Sequence, residues 1–129
     1  MTDISPAAVV QRLWALYNDE GLRQIPGMFA DDGAWNYAAT AMGPAERVTG
    51  KAAVRERVEG MLAMFSGIEI EVHQSVAEGD TVASRWTCTF ALQGAPEHRL
   101  SMNGTSFFVV REGEIAEGFD TWAAPSTDT

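Results

Sequence analysis

The period of the hydrophobic residues changes to two after Gly67, and this change most constrains the fold. Before Gly67, apolar residues recur at the three- and four-residue spacing of amphipathic helices. After it, apolar and polar residues alternate, as in "IEIEVHQSVA" from residue 68 to 77, which is typical of half-buried strands. Helices followed by consecutive strands predict an α+β domain whose curved antiparallel sheet wraps around the helices and encloses a pocket.

Three helices are predicted in the N-terminal half. The first has Ser5 as a favourable N-cap and Pro6 at its first position, and it should end at Gly21. The second is short, lies in "LRQIPGMFADDG", and should close at a turn formed by residues 31–33. The third runs from about residue 51 to 65, with an apolar stripe along one face.

Five strands are predicted, and they are "AWNYA" before the third helix, then "IEIEVHQSVA", "TVASRWTCTFAL", "RLSMNGTSFFVV" and "EIAEGFDTWA". Residues 1–124 are expected to form a single domain, because a chain of 129 residues is most simply one domain. Residues 125–129, "PSTDT", are expected to be a frayed tail.

The long strand "TVASRWTCTFAL" has two different faces. One carries Trp86, Cys88 and Phe90 and is too apolar for water, so it should pack against helices or a second subunit. The opposite face carries Arg85 and Thr87. If that face lines the pocket, these two residues are its polar groups.

Composition argues against several classes of partner. The formal net charge is −9 with one lysine, and the arginines are scattered, which disfavours nucleic acid and anionic membrane surfaces. No apolar run approaches the ~20 residues of a membrane-spanning helix. The opening "MTDISPAAVV" lacks a signal-peptide pattern, and one cysteine, Cys88, precludes an internal disulfide, so we expect a cytoplasmic protein.

No metal or cofactor site is expected. His73 and His98 are not in ligand spacing with each other or with Cys88, and the phosphate-loop, nucleophile-elbow and dinucleotide patterns are missing from the sequence. Chemistry, if any, should use side chains alone. Four tryptophans and six methionines suit an adaptable apolar pocket.

Five segments in order, "FADDGAWNY", "VTGKAAVRE", "EGDTVASRW", "GTSFFVVREGEI" and "FDTW", resemble recurrent segments of the nuclear transport factor 2-like superfamily. This superfamily includes SnoaL-like polyketide cyclases, ketosteroid isomerases and limonene-epoxide hydrolases. The resemblance covers nearly the whole chain and implies a cone-shaped α+β fold with a pocket. It also leads us to expect a homodimer formed through the convex face of the sheet. Because the fold hosts enzymes, carriers and assembly modules, it says less about activity.

The resemblance to the epoxide hydrolases singles out catalytic candidates. Asp120 matches the last-strand aspartate that activates water in that family, and Arg85 matches its arginine. Thr87 stands where the family has an acid, and a threonine hydroxyl is not a comparable general acid at neutral pH. The loss of the acid favours cyclisation or isomerisation over epoxide opening. Ketosteroid isomerase fits less well, because Tyr37 stands at the position of its base and its second acid falls near Thr105 or Ser106.

Asp120 and Arg85 are therefore the predicted catalytic residues, with a structural Asp–Arg pair as the alternative. Further residues are predicted to contact the substrate, although each is also an ordinary core or strand residue: Tyr37, Trp35, Thr87, Asn103, Trp14, Tyr17, Phe65 and Trp122. The predicted function is cofactor-independent acid/base catalysis on a small, mostly apolar organic molecule. The alternative is a non-catalytic protein that binds such a molecule.

Overall fold

One curved sheet with helices on its concave side forms the framework of the protein, as described by a computed structural model for residues 3–40 and 43–127. The elements in chain order are α1 (Pro6–Ala15), a 3-10 helix (Leu22–Met28), β1 (Phe29–Tyr37), β2 (Glu46–Thr49), α2 (Lys51–Met64), β3 (Phe65–Glu78), β4 (Thr81–Leu92), β5 (Arg99–Arg111), β6 (Glu114–Trp122) and β7 (Ser126–Thr127). The predicted α+β class is confirmed, as are three helices before the long strands.

The strand order β2-β1-β6-β5-β4-β3 places the last long strand beside the first. β1 and β6 pair in parallel, with Tyr37 opposite Asp120, whereas the other pairs are antiparallel. The sheet is therefore mostly, not wholly, antiparallel. This single parallel pair brings two side chains far apart in sequence to the same end of the concave face.

α1 forms where its capping residues predict. Ser5 Oγ accepts a hydrogen bond from the amide of Ala8 at 3.3 Å, and Pro6 begins the helix. The helix is shorter than predicted and ends at Ala15 instead of near Gly21. The chain turns sharply in between, and a β-carbon on Gly21 would lie 2.5 Å from the carbonyl oxygen of Leu16, so the glycine permits this turn.

The prediction for residues 22–33 is only partly correct. A 3-10 helix contains Pro26, but it ends at Met28, and residues 31–33 lie inside β1. The turn predicted there is wrong: these residues form an irregularity in the pairing of β1 with β6 between Phe29 and Ala34. Pairing with β6 overrides the turn preference of Asp-Asp-Gly. The short strand β2, within a segment predicted as loop, pairs with β1.

The core lies between the concave face and the helices. α1 buries Val9, Val10 and Leu13, and α2 buries Val54 and Val58. Buried aromatic residues from the strands complete the core, and they include Phe29, Trp35, Trp86, Phe90 and Phe108.

β4 orients its apolar face inward, towards the helices, which is one of the two alternatives that the sequence left open. Trp86, Cys88 and Phe90 are buried, whereas Arg85 is exposed and Thr87 is half-buried on the opposite, convex face. The expectation that Arg85 and Thr87 line the pocket is therefore wrong. Side chains alternate along a strand, so the burial of Trp86 fixes its neighbours on the other side.

The tail also differs from its prediction. Ser126 and Thr127 form a short strand that pairs with Leu100 and Ser101 of β5, so these two residues are not frayed. Residues 128 and 129 of the predicted tail lie outside the described part of the chain.

Two glycine substitutions should have opposite effects on stability. A β-carbon on Gly104 would overlap the ring of Trp86 and lie 2.7 Å from the carbonyl oxygen of Thr121, so Gly104→Ala should lower the free energy of unfolding by about 1–3 kcal/mol. Gly60 lies in α2, and a β-carbon added there would meet no neighbouring group within 4 Å, so Gly60→Ala should raise it by about 0.5–1 kcal/mol. Urea unfolding of both variants measures the difference, and a neutral Gly104→Ala would contradict the packing described.

Candidate active site

A cavity of about 360 Å³ lies between the concave face of the sheet, the helix α2, Tyr17 just after α1, and the segment that joins β1 to β2. Most of its wall is aromatic or aliphatic, and these residues include Tyr17, Tyr37, Met61, Phe65, Ile68, Trp86, Phe90, Met102 and Trp122. Its ionisable side chains are few, and they include Asp120, Arg57, Glu46 and Cys88. An apolar cavity with a few convergent polar groups is the usual form of a small-molecule site.

Asp120 is held in this wall by two hydrogen-bond donors. The indole Nε1 of Trp35 donates to Oδ2 at 2.8 Å, and the hydroxyl of Ser106 donates to Oδ1 at 2.6 Å. Ser106 in turn accepts a hydrogen bond from Trp86 Nε1 at 2.9 Å. Asp120 is 6% exposed, and each carboxyl oxygen keeps a second lone pair for a ligand or a proton.

The strand register explains how these groups converge. Asp120 lies directly opposite Tyr37 of β1 and Ser106 of β5. The two indoles that serve the carboxyl group each lie across from a glycine: Trp35 is paired with Gly118, and Trp86 with Gly104. A β-carbon on Gly104 would overlap the Trp86 ring, and one on Gly118 would lie 2.8 Å from the Phe108 ring and 3.2 Å from Trp35 Cδ1, so the two glycines make room for these aromatic rings.

Burial raises the pKa of Asp120 from 3.8 to about 7. The hydrogen bonds from Ser106 and Trp35 act in the opposite direction, as does the charge of Arg57, but they do not outweigh the loss of water around the carboxylate. A carboxyl group with this pKa can both accept and release a proton near neutral pH.

The cation of the site comes from α2. The guanidinium carbon of Arg57 lies 4.6 Å from the ring centroid of Tyr37, a cation–π contact, and Nε lies 3.3 Å from Glu46 Oε1. Burial raises the pKa of the Tyr37 phenol and of the Tyr17 phenol well above the usual value. Both phenols therefore keep their protons. The Tyr17 hydroxyl donates a hydrogen bond to Met61 Sδ at 3.9 Å, whereas that of Tyr37 can donate a hydrogen bond into the cavity. Burial likewise raises the pKa of Cys88 to about 12, so its thiol stays protonated.

Several predicted site residues lie where the sequence placed them. The cavity wall contains Asp120, Tyr37, Tyr17, Phe65 and Trp122. Trp35 does not line the cavity, but it supports Asp120 from beneath by its hydrogen bond. Their proposed roles in catalysis or substrate binding stay predictions.

Four predicted site residues lie elsewhere. Arg85 is exposed on the convex face and cannot pair with Asp120 through the sheet. Thr87 donates a hydrogen bond to Asn103 Oδ1 at 2.6 Å on that same face. Trp14 packs behind Trp86, with ring centroids 6.2 Å apart, and lines a separate groove between α1 and β3. Side chains alternate along β4 and β5, and the apolar side chains of both strands point inward. Arg85, Thr87 and Asn103 therefore point outward, away from the cavity.

Arg57 and Glu46 are charged residues of the cavity that were not predicted from the sequence. A signal for Arg57 was present, since it follows Val54 by three positions and precedes Met61 by four, so it lies on the inward face of α2. A single cation on an otherwise apolar helical face is unusual, and this could have identified Arg57 as a candidate site residue. Ser106 stood out only through its nearness to the position of the second acid of ketosteroid isomerase.

Residues 10–118 match the SnoaL-like domain. The chain belongs to this family. Comparison with curated protein sequences gives no match. Among the residues that the structure describes, no helix is long and apolar enough to cross a membrane. Within the same residues, no three His, Cys, Asp or Glu side chains are grouped so that they could hold a metal ion.

Solved structures similar to this SnoaL-like domain include enzymes of more than one kind. An epoxide hydrolase of the limonene-epoxide hydrolase type from M. tuberculosis has 17% identity and a TM-score of 0.74, covering 91% of this chain and 81% of its own. The epoxide hydrolase/cyclase-like enzyme SalBIII, with a role in pyran ring formation in the polyether salinomycin, has 20% identity and a TM-score of 0.76, with 91% and 89% covered. IdmH, a candidate polyketide cyclase from Streptomyces antibioticus, has 20% identity and a TM-score of 0.71, with 91% covered in each. At these identities the likeness establishes the fold.

Stability should depend on pH through Asp120. Its pKa is higher in the folded chain than the value of 3.8 for a solvated carboxyl group, so the unfolded state releases its proton first as pH rises. The contribution of Asp120 to the free energy of unfolding should therefore fall between pH 4 and about 7, by up to about 4 kcal/mol. Asp120→Asn cannot ionise and should lack this decline.

Urea unfolding of both proteins at half-unit pH intervals measures the effect. The difference between wild type and Asp120→Asn cancels the contributions of all other titrating groups. A difference that stays constant from pH 4 to 8 would show that Asp120 titrates normally.

Proposed function

We propose that this SnoaL-like domain is a cofactor-independent acid/base enzyme that acts on a small, mostly apolar organic molecule. The observation that carries the proposal is the state of Asp120: a carboxyl group in an apolar cavity, fixed by two donors, with a pKa near 7. Groups with such shifted pKa values, in clefts of this kind, are concentrated at functional sites. Structural similarity to cyclase- and epoxide hydrolase-like enzymes supports the same class.

In the proposed reaction, ionised Asp120 removes a proton from a C–H or O–H group of the bound substrate. The bond to hydrogen breaks, the electron pair stays on the substrate, and the carboxylic acid returns the proton to a second position or to the closing ring. The phenol of Tyr37, directly opposite Asp120 in the sheet, donates a hydrogen bond to a substrate oxygen. Asp120 acts both as base and as acid, which a pKa near 7 permits.

The inward positions of β4 bear on which reaction is favoured. They carry Ser84, Trp86, Cys88 and Phe90, so this strand supplies no acid or arginine to the cavity. Opening of an epoxide by water through an acid on this strand therefore lacks its proton donor. Ring closure or isomerisation of a polyketide-like molecule needs one group that moves a proton, and this is the reaction type that we favour.

The alternative function is binding without turnover. The same apolar wall and aromatic side chains would hold a hydrophobic molecule if Asp120 had a purely structural role through Trp35 and Ser106. The observation that supports this alternative is that each oxygen of the Asp120 carboxyl group already accepts a hydrogen bond from an internal donor.

Asp120→Asn should lower turnover of a substrate by about 10² or more, because a group that transfers protons contributes roughly that factor. Arg85→Gln is the matched control: it removes the other predicted catalytic charge, which lies exposed on the convex face, and should leave turnover unchanged. Steady-state kinetics on cyclisable polyketide analogues measures both. Full turnover by Asp120→Asn, with ligand binding preserved, would favour the binding protein.

A homodimer through the convex face is also proposed. Val76, Ala83, Phe107 and Phe119 pair in register across four strands, and Phe107 and Phe119 are 49% and 43% exposed. Such a row suits a second copy of the chain. A cytoplasmic location, expected from the single cysteine, likewise stays a proposal.

Phe107→Glu should convert a dimer into a monomer in sedimentation equilibrium, because it would place a charge in the middle of the apolar row. Leu92→Glu replaces an equally exposed apolar residue at the end of β4, outside the row, and should leave the dimer intact. A monomeric wild-type protein at micromolar concentration would contradict the proposal.

A further inference from the structure

Arg57 differs from Arg23 and Arg47 in the hydrogen-bond partners of its guanidinium group. Arg23 donates two hydrogen bonds to Glu59, at 2.8 and 3.2 Å, and Arg47 donates two to Glu117, at 3.2 and 3.0 Å. Both of these pairs lie at the surface. Arg57 lines the cavity, and no other lysine or arginine within residues 3–40 and 43–127 does so.

The pairing of Arg57 is incomplete. Its Nε lies 3.3 Å from Glu46 Oε1, which is close enough for an ion pair, yet this atom makes no hydrogen bond with the described residues. The Arg57 side chain as a whole is 39% exposed, but its Nε atom is buried. A buried donor without an acceptor is unfavourable, and a charged donor more so. The carboxylate of Asp120, by contrast, already has a donor on each oxygen. The group in this cavity that lacks a hydrogen-bond partner among the described residues is therefore the donor Nε of Arg57, and a ligand would complete the site by supplying an acceptor, not a cation.

The chemistry of the acceptor follows from the donor. A guanidinium group binds oxygen atoms that carry negative charge, because its N–H groups are fixed in a plane and keep a permanent charge. One face of this guanidinium is occupied by the ring of Tyr37, so a ligand must approach in the plane or from the other face. The apolar surfaces of Trp86, Phe90 and Trp122 line the rest of the cavity and suit an apolar body.

We propose that Arg57 forms an oxyanion-binding subsite, so that the natural ligand is a mostly apolar molecule carrying one acidic oxygen, either a carboxylate or an ionised enol. This deepens the proposed function and rests on it in one respect, that the cavity is the substrate site. Glu46 competes with the ligand for Arg57, and a bound ligand displaces the Glu46 carboxylate from the guanidinium group. Arg57 thus determines which molecules bind, whereas Asp120 moves the proton.

Three naphthalene probes of equal shape separate the possibilities: 1-naphthoate is an anion, 1-naphthalenemethanol is neutral, and 1-naphthylmethylammonium is a cation. Isothermal titration calorimetry at pH 6 and low salt should show naphthoate binding about tenfold more tightly than either of the others, as one charge-assisted hydrogen bond provides. A second pair, 4-hydroxycoumarin as an ionised enol and coumarin as its neutral parent, distinguishes an enolate-binding from a carboxylate-binding subsite.

Variants assign the preference to its residue. Arg57→Gln should abolish the preference for naphthoate and leave the affinity for the alcohol nearly unchanged, and Arg57→Lys should retain part of it. Arg55→Gln, on the exposed face of the same helix, is the matched control and should bind as wild type does. Glu46→Gln should bind naphthoate more tightly, because the competing carboxylate is gone.

Equal affinities for the three naphthalene probes, tightest binding of the ammonium, or a preference that survives Arg57→Gln would each overturn the subsite. The result is independent of turnover. If Asp120→Asn turns over substrate normally while the Arg57-dependent preference persists, the acid/base function is contradicted and the subsite is supported. If Asp120→Asn loses turnover but wild type shows no Arg57-dependent preference, the acid/base function is supported and the subsite is contradicted.

Discussion

The site depends on one unfavourable interaction, the burial of the Asp120 carboxyl group against an apolar wall. Charge at this position is costly because little water reaches it, and the fold provides two donors, Trp35 Nε1 and Ser106 Oγ, in place of the lost solvent. Two donors are enough to keep the group in place without stabilising its ionised form completely. The pKa near 7 is the result of this partial compensation.

The parallel pairing of β1 with β6 makes that arrangement possible. It joins the first strand to the last long strand, so that an aspartate near the C-terminus lies opposite a tyrosine from β1 at one end of the concave face. Glycines beneath Trp35 and Trp86 then allow the indole rings to reach the carboxyl group and its serine partner. The strand order and the close packing of the indole rings thus together place the donors that surround the Asp120 carboxyl group.

Much of this fold follows from the sequence, and the site follows only in part. The change of period at Gly67 correctly predicted helices followed by a sheet, because amphipathic periodicity records burial directly. The choice of Asp120 as a pocket residue also agrees with the structure. Arg85 was placed wrongly, because a motif resemblance gave its position along β4 but not the face to which it points.

The residues that could not be predicted from the sequence are those whose role depends on contacts between elements. Ser106 and Trp86 matter because their hydrogen bonds run in series to Asp120, and no local pattern encodes such a chain. Arg57 belongs to a helix whose apolar stripe was recognised, but its partner in the cavity wall, Tyr37, comes from a strand twenty residues earlier. Long-range pairing, not local propensity, decides which charge reaches the cavity.

The protonation of Asp120 is tested most directly by NMR titration of its carboxyl carbon, in protein labelled with ¹³C at aspartate and with Asp120→Asn to assign the signal. We expect a carboxyl resonance that titrates with a pKa of about 7 and disappears in the variant. A resonance from Asp120 that titrates near the ordinary value of 3.8 would contradict the proposed role, because the carboxylate would then be a stably ionised structural group with no proton to exchange at neutral pH.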